Sequence, residues 1–124
     1  MNIEELREYC LSVAGASEST PFIDNSVLVF KVMNKMFAFI SLEPDNGVFK
    51  VDLKCDPEKS IEFREKYSGI TAGYNPSTLL WNSVSLQSDV PDNLIKELIS
   101  HSVDEVVRNL PKKKREEYLR ILRS

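Results

Sequence analysis

Hydrophobic and polar residues alternate in three consecutive runs in the first half of the chain. The runs are separated by short turn segments and span Val27–Val32, Lys35–Leu42 and Val48–Cys55. Runs of this length that are rich in Val, Phe, Ile and Leu are typical of neighbouring antiparallel strands. The pattern therefore predicts a three-stranded meander.

Alternation also assigns each side chain to one of two sheet faces, because successive residues of a strand point to opposite sides. The predicted buried face comprises Leu28, Phe30, Val32, Met36, Ala38, Ile40, Leu42, Phe49, Val51, Leu53 and Cys55. The opposite face would carry Lys31, Lys35, Lys50 and Lys54, with Phe37, Phe39 and Asp52 among them. A basic sheet face that also bears aromatic residues is the strongest functional signal in the sequence.

Helical patterns flank these strands. Apolar residues recur at helical spacing over about residues 3–14, 57–67, 92–110 and 112–122. Asn2 and Asp56 are predicted N-caps of the first two helices, and Pro111 separates the last two. A further alternating run at 81–87 predicts a fourth strand. The order favours a single two-layer α+β domain over residues 1–124, with an antiparallel sheet and flanking helices.

Composition narrows the classes of function. The chain has 124 residues, one histidine and two cysteines, which offer little material for a disulfide framework or a His-rich metal site. We therefore expect no metal, no cofactor and no enzymatic activity, although a dyad of Cys55 and His101 stays conceivable.

No run approaches the roughly 20 apolar residues of a membrane span, and the first residues do not resemble a signal peptide. We expect a cytoplasmic protein without membrane contact.

Charge is distributed unevenly. The net charge is −3, but residues 112–124 carry +4 and the remainder carries −7. DNA is the first predicted partner, and only a patch of the surface would bind it. The predicted nucleic-acid-binding residues are Lys31, Lys35, Lys50, Lys54, Lys112, Lys113, Lys114 and Arg115.

Eight short segments occur in a recognisable order along the chain: Pro21-Phe22, Val29–Val32, Lys35–Ala38, Asp52–Pro57, Gly69-Ile70, Gly73-Tyr74, Trp81-Asn82 and Leu110–Lys113. This ordered set resembles the MmcQ/YjbR family. The resemblance implies a CyaY-like α+β fold. It also implies DNA binding through a "double wing" of strands and loops, as members of this family are commonly described.

Other interpretations remain open at this stage. Lysines on an exposed sheet commonly serve only to keep the protein soluble and to protect the sheet edges. A terminal helix packed on that face would cover Phe37 and Phe39. The main alternative is a protein- or small-ligand-binding module that uses the loop aromatics Phe22, Tyr74 and Trp81. One exposed positive surface formed by the four sheet lysines would favour nucleic acid. A concave pocket lined by aromatic residues would favour a ligand or protein partner.

Overall fold

The computed structural model describes residues 1–20 and 26–124, in which one antiparallel sheet is covered on one side by helices. The helices are α1 (Ile3–Ser12), α2 (Pro57–Lys66), α3 (Asp92–Arg108) and α4 (Lys112–Arg123). The strands are β1 (Ser17–Ser19), β2 (Val27–Val32), β3 (Lys35–Ser41), β4 (Lys50–Lys54), β5 (Ile70–Ala72) and β6 (Trp81–Ser85). The strand order is β1-β2-β3-β4-β6-β5, and every pairing is antiparallel.

This architecture confirms the predicted α+β class and the predicted order of the helices. The sheet has two more strands than the sequence indicated, because β1 and β5 add short edges to the predicted four. Each edge strand has only three residues, too few for an alternating pattern to be recognised. Both therefore depend on backbone pairing with β2 and β6.

Two tight turns set the strand order of the meander. Met33 and Asn34, between β2 and β3, have φ angles of 49° and 62°. Asn46 and Gly47 have φ angles of 51° and 79° and close a small hairpin in which Asp45 pairs with Val48. Positive φ at both central residues is the geometry that matches the twist of the flanking strands.

The helical layer packs on one face of the sheet. The longest helix, α3, crosses β2, β3 and β4 and buries Ile95, Leu98 and Ile99 against them. The helix α1 begins with the predicted Asn2 cap, whose side chain accepts a 2.8 Å hydrogen bond from the Glu5 N–H. No helix in the two described ranges is long and apolar enough to cross a membrane.

The register of β3 corrects the predicted faces. Phe30 pairs with Ala38, but the next residue, Lys31, pairs with Met36, so Phe37 is the extra residue of a β-bulge. Phe37 is therefore fully buried in the core, with its ring centroid 6.3 Å from that of Phe30. Met36 lies instead on the face opposite the helices.

A second correction concerns Leu42, which was predicted to be buried and is 39% exposed. It follows the last residue of β3 and lies outside the area that the helices cover. The alternative that a terminal helix covers Phe37 and Phe39 is also wrong. Phe37 is buried beside α3, which is not the terminal helix, and Phe39 lies on the side of the sheet opposite the helices.

Ser102 of α3 completes the bulge. Its buried hydroxyl donates a hydrogen bond to the Phe37 carbonyl and accepts one of 2.8 Å from the Lys54 N–H. These two backbone groups belong to neighbouring strands and would otherwise be left unpaired beside the core. Because buried polar groups are costly without partners, this side chain makes the irregular register compatible with a closed core.

The first prediction concerns this hydroxyl. Ser102→Ala should lower the free energy of unfolding by about 1–3 kcal/mol, since it leaves a buried donor and a buried acceptor unpaired. Urea unfolding followed by circular dichroism measures the change. Ser100→Ala is the matched control, because it makes the same exchange on the same helix at an exposed position. Equal stability of the two variants would contradict the assigned role.

Candidate ligand-binding site

The sheet face opposite α3, here called the open face, contains a trough of about 640 Å³. Residues of β2 that line it alternate with residues that enter the core, as expected for a strand with one open side. The described residues that line it are Val27, Val29, Lys31, Met36, Phe39, Ser41, Glu43, Asp45, Val48, Lys50, Asp52 and Tyr74. The trough is thus an apolar surface with a few polar side chains at defined places.

Two loops border the trough on opposite sides of the sheet face. The hairpin between Asp45 and Val48 contributes both of its closing residues to the lining. Tyr74, which follows β5 in sequence, contributes on the other side. These loops turn the open face into a concave site.

Three aromatic rings pack together at the Tyr74 side. The ring centroid of Phe39 lies 5.6 Å from that of Trp81 and 6.0 Å from that of Tyr74, and the Tyr74–Trp81 distance is 6.4 Å. The Tyr74 ring meets the other two edge to face, and the Phe39 and Trp81 rings are tilted by 50°. Rings at these separations stabilise one another. Trp81 is 9% exposed and supports the cluster, whereas Tyr74 is 60% exposed and is available to a ligand.

Asp52 places a carboxylate in the trough. It pairs with Phe39 across β3 and β4, and its Oδ2 accepts a 2.8 Å hydrogen bond from the Tyr74 N–H. Burial raises the pKa of Asp52 above 3.8, and the hydrogen bonds from the Tyr74 N–H and the Ser83 hydroxyl partly offset this rise. The charged form of this side chain is therefore held in a site that disfavours it.

Gly73 permits the contact between Tyr74 and Asp52. A Cβ atom at this position would lie 2.8 Å from Asp52 Oδ2 and 3.0 Å from the backbone carbon of Asn82. Only a residue without a side chain fits between these groups without displacing them. The glycine therefore fixes Tyr74 against the sheet.

The four predicted sheet lysines are not all brought together. Lys31 and Lys50 line the trough. The alternation of β4 places Lys54, which pairs with Trp81, on the same open face as Lys50. Lys35 pairs with Val32, which is buried in the core, so the register places Lys35 on the helical side of the sheet at an exposed strand end. Lys50 Nζ lies 3.6 Å from Asp45 Oδ2 and is thus partly neutralised.

The C-terminal basic residues lie elsewhere. Lys112, Lys113, Lys114 and Arg115 form the first turn of α4. This helix contacts α3, and Tyr118 on it donates a 2.9 Å hydrogen bond to the Ala14 carbonyl after α1. The basic turn therefore belongs to the helical layer and does not extend the open face. Phe22, the remaining predicted aromatic contact, falls outside the described residues.

Among the described residues, no hydrogen bond joins Cys55 and His101, the two members of the conceivable dyad. His101 Nε2 accepts a 3.2 Å hydrogen bond from the Asp56 N–H, next to the start of α2. Burial raises the pKa of the Cys55 thiol, and the neighbouring Ser60 side chain has a smaller opposing effect. Across the described parts of the chain, no three His, Cys, Asp or Glu side chains converge as a metal site.

Sequence reasoning found Lys31, Lys50, Phe39 and Asp52 on the open face but missed the apolar floor. Val29 and Met36 were not recognised as lining residues, although the alternation of β2 carried the signal for Val29. Nothing in the local sequence indicates the bulge that moves Met36.

The second prediction tests the environment of Asp52. Because its folded pKa is raised, the wild-type protein should lose stability relative to Asp52→Asn as the pH rises from 3.8 through the folded value. Above that value the difference should be constant. Unfolding free energies of both proteins at a series of pH values measure it. A difference that is independent of pH, or that changes in the opposite direction, would contradict the description of Asp52.

Comparisons with known proteins agree with this architecture. The family model YjbR matches residues 11–104. The uncharacterized protein YjbR of Escherichia coli (strain K12) is 31% identical over 115 residues, which cover 93% of this chain and 95% of the relative. The uncharacterized protein YbdF of Escherichia coli O157:H7 is 34% identical over 85 residues, 68% of each chain.

Solved structures share the fold. The crystal structure of the Deinococcus radiodurans protein DR2400 is similar with a TM-score of 0.82 and 31% identity, covering 94% of this chain and 86% of that one. A Pseudomonas syringae protein matches with a TM-score of 0.71 over 82% of this chain and 96% of its own, at 24% identity, which is evidence for the fold alone. With a family model and a full-length relative in agreement, the chain belongs to the YjbR family.

Proposed function

We propose that this protein is a non-catalytic binding domain whose ligand is a small organic molecule held in the trough. The observation that carries the proposal is the concave apolar volume of about 640 Å³ on the open face. Small-molecule sites in proteins commonly have volumes of roughly 300–1,000 Å³ and combine an apolar lining with a few placed polar groups. The trough has both properties.

The charges of the lining favour this function over a DNA surface. Among the described residues, two lysines and three acids, Glu43, Asp45 and Asp52, line the trough. A surface that binds nucleic acid mainly through its phosphates needs an excess of positive charge. The aromatic side chains Phe39 and Tyr74, in contrast, line a concave pocket, which favours a ligand.

The third prediction uses the fluorescent dye 1-anilinonaphthalene-8-sulfonate, which has an apolar ring system and one negative charge. The folded protein should bind one dye molecule, and Met36→Glu should weaken binding by about tenfold or more, because a charge replaces apolar contact area. Fluorescence titration measures the affinity after circular dichroism has confirmed folding.

Leu42→Glu is the matched control for this titration. Leu42 is an exposed apolar residue outside the trough, so its replacement introduces the same charge and should leave dye binding unchanged. A folded wild-type protein that binds no dye would contradict the proposed function. Equal weakening by both substitutions would place the dye outside the trough.

Nucleic-acid binding is the second candidate function. The observation that favours it is that Lys31 and Lys50 line the open face and that the register adds Lys54 at the same face. Phe39 and Tyr74 lie among them, and aromatic side chains beside lysines can stack the bases of a single strand. If nucleic acid binds to the concave open face, the partner would be an extended single strand rather than a rigid duplex, because a duplex surface is convex.

The fourth prediction separates the two candidates by fluorescence anisotropy of a labelled single strand and a labelled duplex. Nucleic-acid binding predicts affinity that falls steeply between about 50 and 200 mM salt and is lost in Lys31→Glu/Lys50→Glu/Lys54→Glu. Affinity that survives this triple substitution would point to Lys112–Arg115. If the small-ligand function is correct, neither probe should bind at about 100 μM protein and low salt.

A further inference from the structure

Asp52 has acceptor capacity that the described residues do not fill. A carboxylate offers about four acceptor positions on its two oxygens. Within the described residues, the Tyr74 N–H donates a hydrogen bond to Oδ2, and the neighbouring Ser83 side chain lowers the pKa of the carboxylate. Since Asp52 also lines the trough, its remaining acceptor positions are available to a bound molecule.

The burial of Asp52 suggests that it is retained for binding. Placing a carboxylate in an environment that raises its pKa lowers the stability of the fold at neutral pH. An asparagine of the same shape could accept the hydrogen bond from the Tyr74 N–H through its amide oxygen without this cost. Groups that oppose stability in this way concentrate at functional sites.

Lys31 lies on the far side of β3 from Asp52. Val29 of β2 and Asp52 of β4 both pair with Phe39 of β3, and Lys31 is two residues beyond Val29, opposite Met36. Two interstrand spacings across the sheet and two residues along it therefore separate the backbones of Lys31 and Asp52, about 12 Å in total. Within residues 1–20 and 26–124, Lys31 takes part in none of the ion pairs, whereas Lys50 is paired with Asp45. Lys31 can therefore attract a negative group on a ligand.

These placements define a complementary ligand. We infer that the trough selects a planar ring whose N–H donates to Asp52, whose face lies on Phe39, and whose anionic substituent reaches Lys31. The inference rests on the proposed function and adds the chemical class: an acidic nitrogen heteroaromatic compound. The apolar side chains Val29 and Met36 would contact the same ring system.

Indole-3-acetate is a probe with all three features, and two analogues remove one feature each. In 1-methylindole-3-acetate the ring N–H is replaced, and in tryptamine an ammonium group replaces the carboxylate. Titrations followed by ¹⁵N–¹H correlation spectra should show indole-3-acetate shifting the Tyr74 amide signal. The N-methyl analogue should bind about tenfold more weakly, because a hydrogen bond to a charged acceptor is lost. Tryptamine should bind more weakly still.

Two substitutions assign these preferences to residues. Asp52→Asn should reduce the preference for the N–H ring over the N-methyl ring to less than about threefold. Lys31→Gln should weaken indole-3-acetate by about three- to tenfold and keep the N–H preference, since an exposed ion pair contributes modestly. Asp104→Asn and Lys35→Gln are the matched controls, being exposed residues outside the trough, and should change neither quantity.

The outcomes distinguish this inference from the proposed function. If both indole acids bind equally, or if Asp52→Asn keeps the N–H preference, the assigned ligand class is wrong although the trough remains a binding site. The same holds if the naphthalene dye binds in the trough and neither acid does at about 5 mM, a concentration at which millimolar dissociation constants are detected. If neither the dye nor the acids bind, the proposed function itself fails.

Discussion

The hydroxyl of Ser102 determines which side chains this sheet presents to the solvent. It bridges the Phe37 carbonyl and the Lys54 N–H, two groups that the bulge in β3 separates. With both groups satisfied, β3 can change its alternation in mid-strand, and Phe37 enters the core while Met36 joins the open face. Without that change, an apolar methionine would be buried and a phenylalanine would stand exposed, and the trough would have a different floor.

The trough combines features that are costly for folding with features that suit a ligand. Asp52 is a carboxylate in a partly buried site, Tyr74 is an exposed ring fixed to that carboxylate through its backbone, and Gly73 is the only residue type that fits between them. The fold alone requires none of these contacts. Their coincidence around one concave apolar surface is the physical basis for proposing a binding function, and the relatives in the YjbR family share the scaffold on which it is built.

Local signals sufficed to predict most of the fold. The Asn2 cap, the Asp56-Pro57 helix start and the turn at Met33-Asn34 all depend on neighbouring residues, and the structure confirms them. The edge strands β1 and β5 were missed because they are short and gain their order from pairing. The floor of the site was predicted incorrectly for a different reason: the bulge depends on Ser102, which is 65 residues from Phe37 in sequence. Lys35 was predicted to share a face with the other lysines because the local sequence does not reveal the bulge. The alternation of β3 changes at the bulge, so Lys35 lies on the opposite side.

The bulge in β3 is tested most directly by determining on which side of the sheet Phe37 lies. Nuclear Overhauser contacts of the Phe37 ring, measured on protein labelled at phenylalanine, report it without any assumption about a ligand. If the bulge places Phe37 in the core, its ring should show contacts to the Phe30 ring, whose centroid is 6.3 Å away. Contacts from Phe37 to Tyr74 and Trp81 instead would show that β3 keeps a regular alternation, and the trough as described would not exist.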